Sequence, residues 1–134
     1  MSNSIILLVA RILLAFIFIM SGWGKFFAIE GTAGYIASVG LPAATLLAWA
    51  AAVFELVAGI ALLVGFRTRE TAWALAAFTL FAGFVFHYQP ADQMQMIMFM
   101  KNLAIAGGFL VLGQIGAGSL SLDARIGSAK PAIA

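Results

Sequence analysis

Four charged or amide side chains interrupt apolar runs in this 134-residue sequence. Arg11 lies within IILLVARILLAFIF, Glu55 within LLAWAAAVFELVAGIALLVG, and the adjacent Lys101 and Asn102 within MQMIMFMKNLAIAGGFLVLG. Such groups can pair with one another, bind the polar head of a lipophilic molecule or transfer protons, because an unpaired charge inside a bilayer is strongly unfavourable. The sequence therefore predicts a set of polar groups in an otherwise apolar interior.

The runs that hold these residues indicate the fold. Hydrophobic residues make up 64% of the chain and charged residues 9%, whereas soluble domains are about 25% charged. A spanning helix needs about 20 apolar residues, and continuous rather than alternating runs favour helices over a barrel. We expect an all-α integral membrane protein, a four-transmembrane-helix bundle in a single domain over residues 1–134. The predicted helices cover residues 5–27, 43–65, 71–88 and 94–113, with a tail over 114–134 and an interfacial loop or short surface helix over 28–42.

Several classes of function are disfavoured by composition. The net charge of +2 comes without any run of Lys or Arg, so no nucleic-acid partner is predicted. The absence of cysteine removes disulfides and thiolate ligands, and a single histidine, His87, cannot supply bis-histidine haem ligation. Met94, Met96, Met98 and Met100 alternate along the chain, and residues two apart on a helix point about 200° away from each other. The four sulfurs therefore cannot converge on Cu(I). No metal site is predicted.

Helix geometry suggests which charges meet. With a rise of about 1.5 Å per residue, Arg11 is expected about 9 Å and Glu55 about 12 Å from the same face of the bilayer. The flexible side chain of Lys101 can reach toward them. We therefore expect an Arg11–Glu55–Lys101 cluster, with Asn102 bonded to a different neighbour. Two interpretations remain open, because such a cluster can fix helix register or can also bind a ligand or move protons.

Lys25 and His87 lie near the predicted outer ends of the first and third helices. Both can be interfacial anchors, or they can line an outward mouth that leads to Lys101. Basic residues near the other helix ends predict the orientation, because cytoplasmic segments carry an excess of Lys and Arg. These are Arg67, Arg69, Arg125 and Lys130. We expect a multi-pass protein of the bacterial cytoplasmic (inner) membrane with both termini in the cytoplasm.

Several motifs together resemble the DoxX family of small bacterial membrane proteins. They are Arg11 in the first helix, SGWGKF, LPA, FELVAGIALLVGFRTR, His87 at the end of the third helix, KNLAIAGGFLVL and GAGSLSLD. The family often has Gly-Pro-Gly where this chain reads GAG at 116–118, which affects the geometry of that turn. The resemblance spans nearly the whole chain and implies a four-helix membrane bundle.

The resemblance also suggests functions. Relatives include a subunit of a thiosulfate:quinone oxidoreductase, and the wider group has members described as redox-complex partners, cargo receptors or receptor-assembly factors. One hypothesis is a redox-associated protein that binds quinone, with Lys101, Asn102 and His87 as donors and Arg11 and Glu55 holding the site. The others are a non-enzymatic scaffold or assembly subunit, and a small transporter or lipid-binding protein. The expected partners are the lipid bilayer, an oxidoreductase or other membrane complex, and a second copy of the chain.

Overall fold

The computed structural model describes residues 2–127, and helices form nearly all of this part of the chain. The helices are α1 (Asn3–Phe26), α2 (Ile29–Ser38), α3 (Ala44–Val64), α4 (Thr68–Ala82), which continues as a π-helical turn (Gly83–His87), α5 (Gln93–Ile115) and α6 (Leu122–Arg125). Four segments are long and apolar enough to cross a membrane: Asn3–Phe26, Ala44–Val64, Thr68–His87 and Gln93–Ile115. The predicted all-α, four-span membrane fold is confirmed. Lys130, one of the basic residues from which the orientation is predicted, lies outside the described residues.

The third span begins at Thr68, three residues before the predicted start at residue 71. The extension is explained by Asp123, whose two carboxylate oxygens accept hydrogen bonds from the backbone N–H groups of Arg67 (2.7 Å) and Thr68 (2.9 Å). These donors have no partner within the helix, so the carboxylate satisfies the helix start. The long first connection contains α2, which corresponds to the short helix among the two predicted alternatives.

Helices α1 and α3 run antiparallel, and they pack closely because glycines at their contact have no side chain. A Cβ atom on Gly22 would lie 2.6 Å from the backbone nitrogen of Leu56, and one on Gly59 would lie 2.8 Å from Cγ1 of Ile19. Small residues allow such close approach in membrane bundles. The contacts also fix the register, since they place Glu55 level with the last turn and a half of α1.

The two ends of the bundle differ in structure. The α2 end holds α2 and the turn after the π-helical segment, while the tail end holds the start of α1, the α3–α4 turn and residues 116–125. At the tail end the hydroxyls of Ser4 and Ser119 are 2.6 Å apart, which ties the first helix to the tail. Arg69 donates to the carbonyls of Gly113 (3.4 Å) and Ile115 (3.2 Å), so it caps the end of α5.

The hydrophobic core occupies the half of the bundle near the tail end. Its members come from the first part of α4 and the parts of α1, α3 and α5 beside it: Ala15, Phe18, Ala58, Leu62, Ala72, Leu75, Ala76, Phe109 and Leu112. The half near the α2 end is instead built around a cavity. The bundle is thus tightly packed near the tail end and contains a cavity near the α2 end.

Candidate functional site

The cavity has a volume of about 700 Å³ and is lined by residues of all four spans and of α2. Most of its wall is apolar, and nine polar or charged side chains line it: Ser21, Lys25, Thr32, Tyr35, Glu55, Thr79, His87, Lys101 and Asn102. Binding sites for small organic molecules typically measure about 300–1,000 Å³ and combine apolar walls with a few polar groups. The cavity therefore has the size and composition of a small-molecule site.

An ion pair between Lys25 and Glu55 forms part of the wall. Lys25 Nζ donates to Glu55 Oε2 (2.9 Å) and to Ser21 Oγ (2.6 Å), and the side chains of Lys25 and Glu55 are 24% and 6% exposed. A helical side chain leans toward the N-terminus of its own helix, which brings the Lys25 ammonium back over Ser21 and down to the level of Glu55. The ion pair therefore joins α1 to α3 one turn below the end of α1.

The expected Arg11–Glu55–Lys101 cluster does not form. Arg11 is fully buried at the tail end, where Nη1 donates to the carbonyls of Leu62 (3.4 Å) and Leu63 (3.0 Å), and Nη2 donates to the carbonyl of Leu120. It caps α3 and holds the tail, and it does not line the cavity.

The prediction was wrong because it assumed that the helix ends are level. With Gly22 against Leu56, Glu55 lies near residue 23 of α1, which is about 18 Å along the helix axis from Arg11. Each long side chain also leans toward the start of its own helix, and in an antiparallel pair this moves their charged groups further apart.

Lys101 and Asn102 occupy the opposite wall of the cavity. Asn102 is buried and its Nδ2 donates to the carbonyl of Thr79 (3.1 Å), as expected for a neighbour other than Glu55. Gly83 makes room for this contact, because a Cβ atom there would lie 3.2 Å from Asn102 Cβ. Lys101 also lines the cavity but forms no hydrogen bond or ion pair with any residue between 2 and 127. Lys101, which is partly exposed, is therefore a cation of the cavity lining with no partner among these residues.

His87 lies where the cavity meets the α2 end. Its Nδ1 is 2.8 Å from Oε1 of Gln95, so one ring nitrogen is engaged by α5. Next to it the carbonyl of Phe86 accepts a hydrogen bond from the hydroxyl of Tyr35 (3.3 Å), whose ring lies 5.2 Å from that of Phe86. This carbonyl belongs to the π-helical turn, a distortion frequently found at functional sites. Tyr35 and Phe86 thus close the space between α2 and the third span.

The structure brings five of the six sequence-predicted candidates to one cavity: Lys25, Glu55, His87, Lys101 and Asn102. Arg11 is the exception. Sequence reasoning did not select Ser21, although its position four residues before Lys25 places both side chains on one face of α1. Gln95 carried no signal, since its role depends on its contact with His87 of another helix. Residues 2–127 contain no group of three or more His, Asp or Glu side chains suited to a metal ion.

Comparisons with known proteins place the chain in a family. The sequence model of the DoxX family matches residues 6–88. The chain is 45% identical over 116 residues to the inner membrane protein YqjF of Escherichia coli (strain K12), covering 87% of this chain and 88% of that protein. It is 40% identical over 129 residues to the inner membrane protein YphA of the same organism, covering 92% of each. No solved structure matches the chain significantly. From the matched family model and these two relatives, we conclude that the chain belongs to the DoxX family.

Proposed function

We propose that this protein binds a lipophilic molecule with a hydrogen-bond-accepting head, such as a quinone, in the cavity at its α2 end. The observation that carries the proposal is Lys101, a cation that lines an apolar cavity of about 700 Å³ and has no partner within residues 2–127. Ionisable residues within membrane-spanning helices are rare and commonly mark functional sites, so ligand binding is the role we assign to Lys101.

The walls of the cavity suit a flat ring. The ring centroid of Phe78 lies 5.1 Å from that of Phe54 and 6.4 Å from that of Phe18, and all three rings line the cavity. Aromatic rings at such distances present edges and faces that pack well against another ring. Lys101 would donate to a carbonyl of the ligand, and the second Nδ2 proton of Asn102 remains for another acceptor.

The other buried charges have structural roles in this account. Arg11 holds the tail, and the Lys25–Glu55 pair fixes α1 against α3 and forms one wall. This division favours the scaffold alternative for Arg11, Lys25 and Glu55 and the ligand-binding hypothesis for Lys101. A redox role would follow if an oxidoreductase partner in the membrane exchanges electrons with the bound quinone.

The proposed location is the inner membrane, with both ends of the chain in the cytoplasm. The two relatives are named as inner membrane proteins, and four helices of this chain are long and apolar enough to cross a membrane. Arg67, Arg69 and Arg125 all lie at the tail end, and an excess of basic residues marks the cytoplasmic side.

A thermal-unfolding titration tests the proposal. A short-chain ubiquinone at 100 times its dissociation constant should stabilise the purified protein by about 2.7 kcal/mol, seen as a rise in melting temperature that grows with the logarithm of ligand concentration. Lys101→Met should weaken this response. The matched control is Leu110→Ala, at a residue of the next turns of α5 that is 43% exposed and does not line the cavity. A wild-type protein that gains no stability from any quinone would contradict the proposal.

A further inference from the structure

We infer that the ligand of this cavity carries one negative charge on a ring-bearing head, so that an ionised hydroxyquinone or a similar aromatic acid binds in preference to a neutral quinone. The inference rests on the proposed function, because it specifies the ligand chemistry of the same cavity. Three observations support it: the charge balance of the lining residues, the position of the internal ion pair, and the aromatic walls.

The charge balance of the cavity is positive. Its formally charged lining residues are Lys25, Lys101 and Glu55, so two positive charges and one negative charge leave a net charge of +1. The other positive charges in the spans, Arg11 and Arg69, are bound at the tail end and do not line the cavity. The site therefore holds one more cation than anion.

The internal ion pair assigns the excess charge to one residue. Glu55 Oε2 lies 2.9 Å from Lys25 Nζ, so these two charges compensate each other. Lys101 forms no ion pair with any residue between 2 and 127. A charge in a low-dielectric site is unfavourable unless it is paired and hydrogen-bonded. A bound monoanion would pair with Lys101 and bring the net charge of the occupied cavity to zero.

The walls indicate that the anionic head is a ring. Phe18, Phe54 and Phe78 form a continuous aromatic surface, with centroid distances of 5.1 and 6.4 Å between neighbours. Tyr35 and Phe86 add a second aromatic pair at the α2 end. Flat rings gain specific edge and face contacts on such a surface, which an acyl chain does not need.

The test uses two naphthoquinones of similar size. Lawsone, a hydroxynaphthoquinone, is an anion at neutral pH, whereas menadione, a methylnaphthoquinone, is neutral. Dissociation constants are obtained from thermal unfolding in nanodiscs of phosphatidylcholine. Lawsone should bind at least about tenfold more tightly than menadione, because a hydrogen bond between two charged groups contributes more than one to a neutral acceptor. Lys101→Met should reduce the ratio to within about twofold, while the matched variant Lys101→Arg should keep it, since it retains the charge.

Each other outcome has a distinct meaning. If both naphthoquinones bind wild-type protein equally, the inference of an anionic ligand is overturned and the proposed quinone function stands. If neither binds, the proposed function itself fails. If nanodiscs that contain phosphatidylglycerol abolish the response to lawsone, a lipid headgroup occupies the site and the inference of a ring-bearing anion is overturned.

Discussion

The substitution Glu55→Gln tests the ion pair that joins α1 to α3. Removing one partner of a buried ion pair typically costs about 3–5 kcal/mol, because the other charge stays buried without compensation. Here the cost should be about 3 kcal/mol, at the low end of that range, since the Lys25 side chain is 24% exposed and keeps Ser21 Oγ as a partner at 2.6 Å. In the double variant with Lys25→Met both charges are gone, so part of the loss should be recovered. The expected coupling free energy is about 2 kcal/mol.

The assay is equilibrium unfolding by sodium dodecyl sulfate from mild-detergent micelles, followed by the fluorescence of the three tryptophans. The matched control is the double variant Glu55→Gln with Lys101→Met, for which the two effects should add to within about 0.5 kcal/mol because these side chains do not pair. Strict additivity of Glu55→Gln and Lys25→Met, or coupling to Lys101 instead, would refute the pairing described here.

Three further predictions concern packing, the tail and orientation. Gly22→Ala should cost about 3 kcal/mol in the same unfolding assay, because the new Cβ would lie 2.6 Å from a backbone nitrogen. The control Gly107→Ala, with nothing within 4 Å of its new Cβ, should be neutral or slightly stabilising. Equal effects of the two substitutions on stability would contradict the α1–α3 contact. Arg11→Met should cost about 3 kcal/mol and speed proteolysis of the tail, because one buried and two partly buried carbonyl groups lose their charged donor. An unchanged cleavage rate would show that Arg11 does not hold the tail. The chain has no cysteine, so a single introduced cysteine reports on one position. A cysteine at the exposed position Ser38 should react with a membrane-impermeant thiol reagent in intact cells, and one at Ser119 only after lysis. The reverse pattern would invert the proposed orientation.

The fold was predictable because apolar runs of spanning length leave few alternatives. Four continuous runs with polar interruptions require helices, since backbone groups in lipid must be satisfied within the segment. The residues of the site were also predictable in kind, because charges such as Glu55 and Lys101 are conspicuous in apolar runs. Which charges pair was not predictable from spacing. It depends on the register of α1 against α3, which the contacts of Gly22 and Gly59 determine.

The tail illustrates a second limit of sequence reasoning. Asp123 is the last residue of the motif GAGSLSLD, and its carboxylate bonds to backbone groups 55 and 56 residues earlier in the chain. Arg11 similarly reaches the carbonyl of Leu120. Neither contact has a periodic pattern or a motif of its own, because each depends on how distant segments pack. The start of α4 was therefore misplaced by three residues, and the partner of Arg11 was misassigned.

Photo-crosslinking with an azidoquinone tests most directly whether the cavity binds a lipophilic ligand. After irradiation of the protein in nanodiscs, peptide mapping by mass spectrometry identifies the labelled residues. We expect labels on cavity residues such as Phe54 and Phe78, competed by unlabelled quinone and reduced in Lys101→Met. Labels confined to lipid-facing side chains such as Leu13 and Phe16, which are 70% and 65% exposed, and unaffected by competitor, would contradict the account.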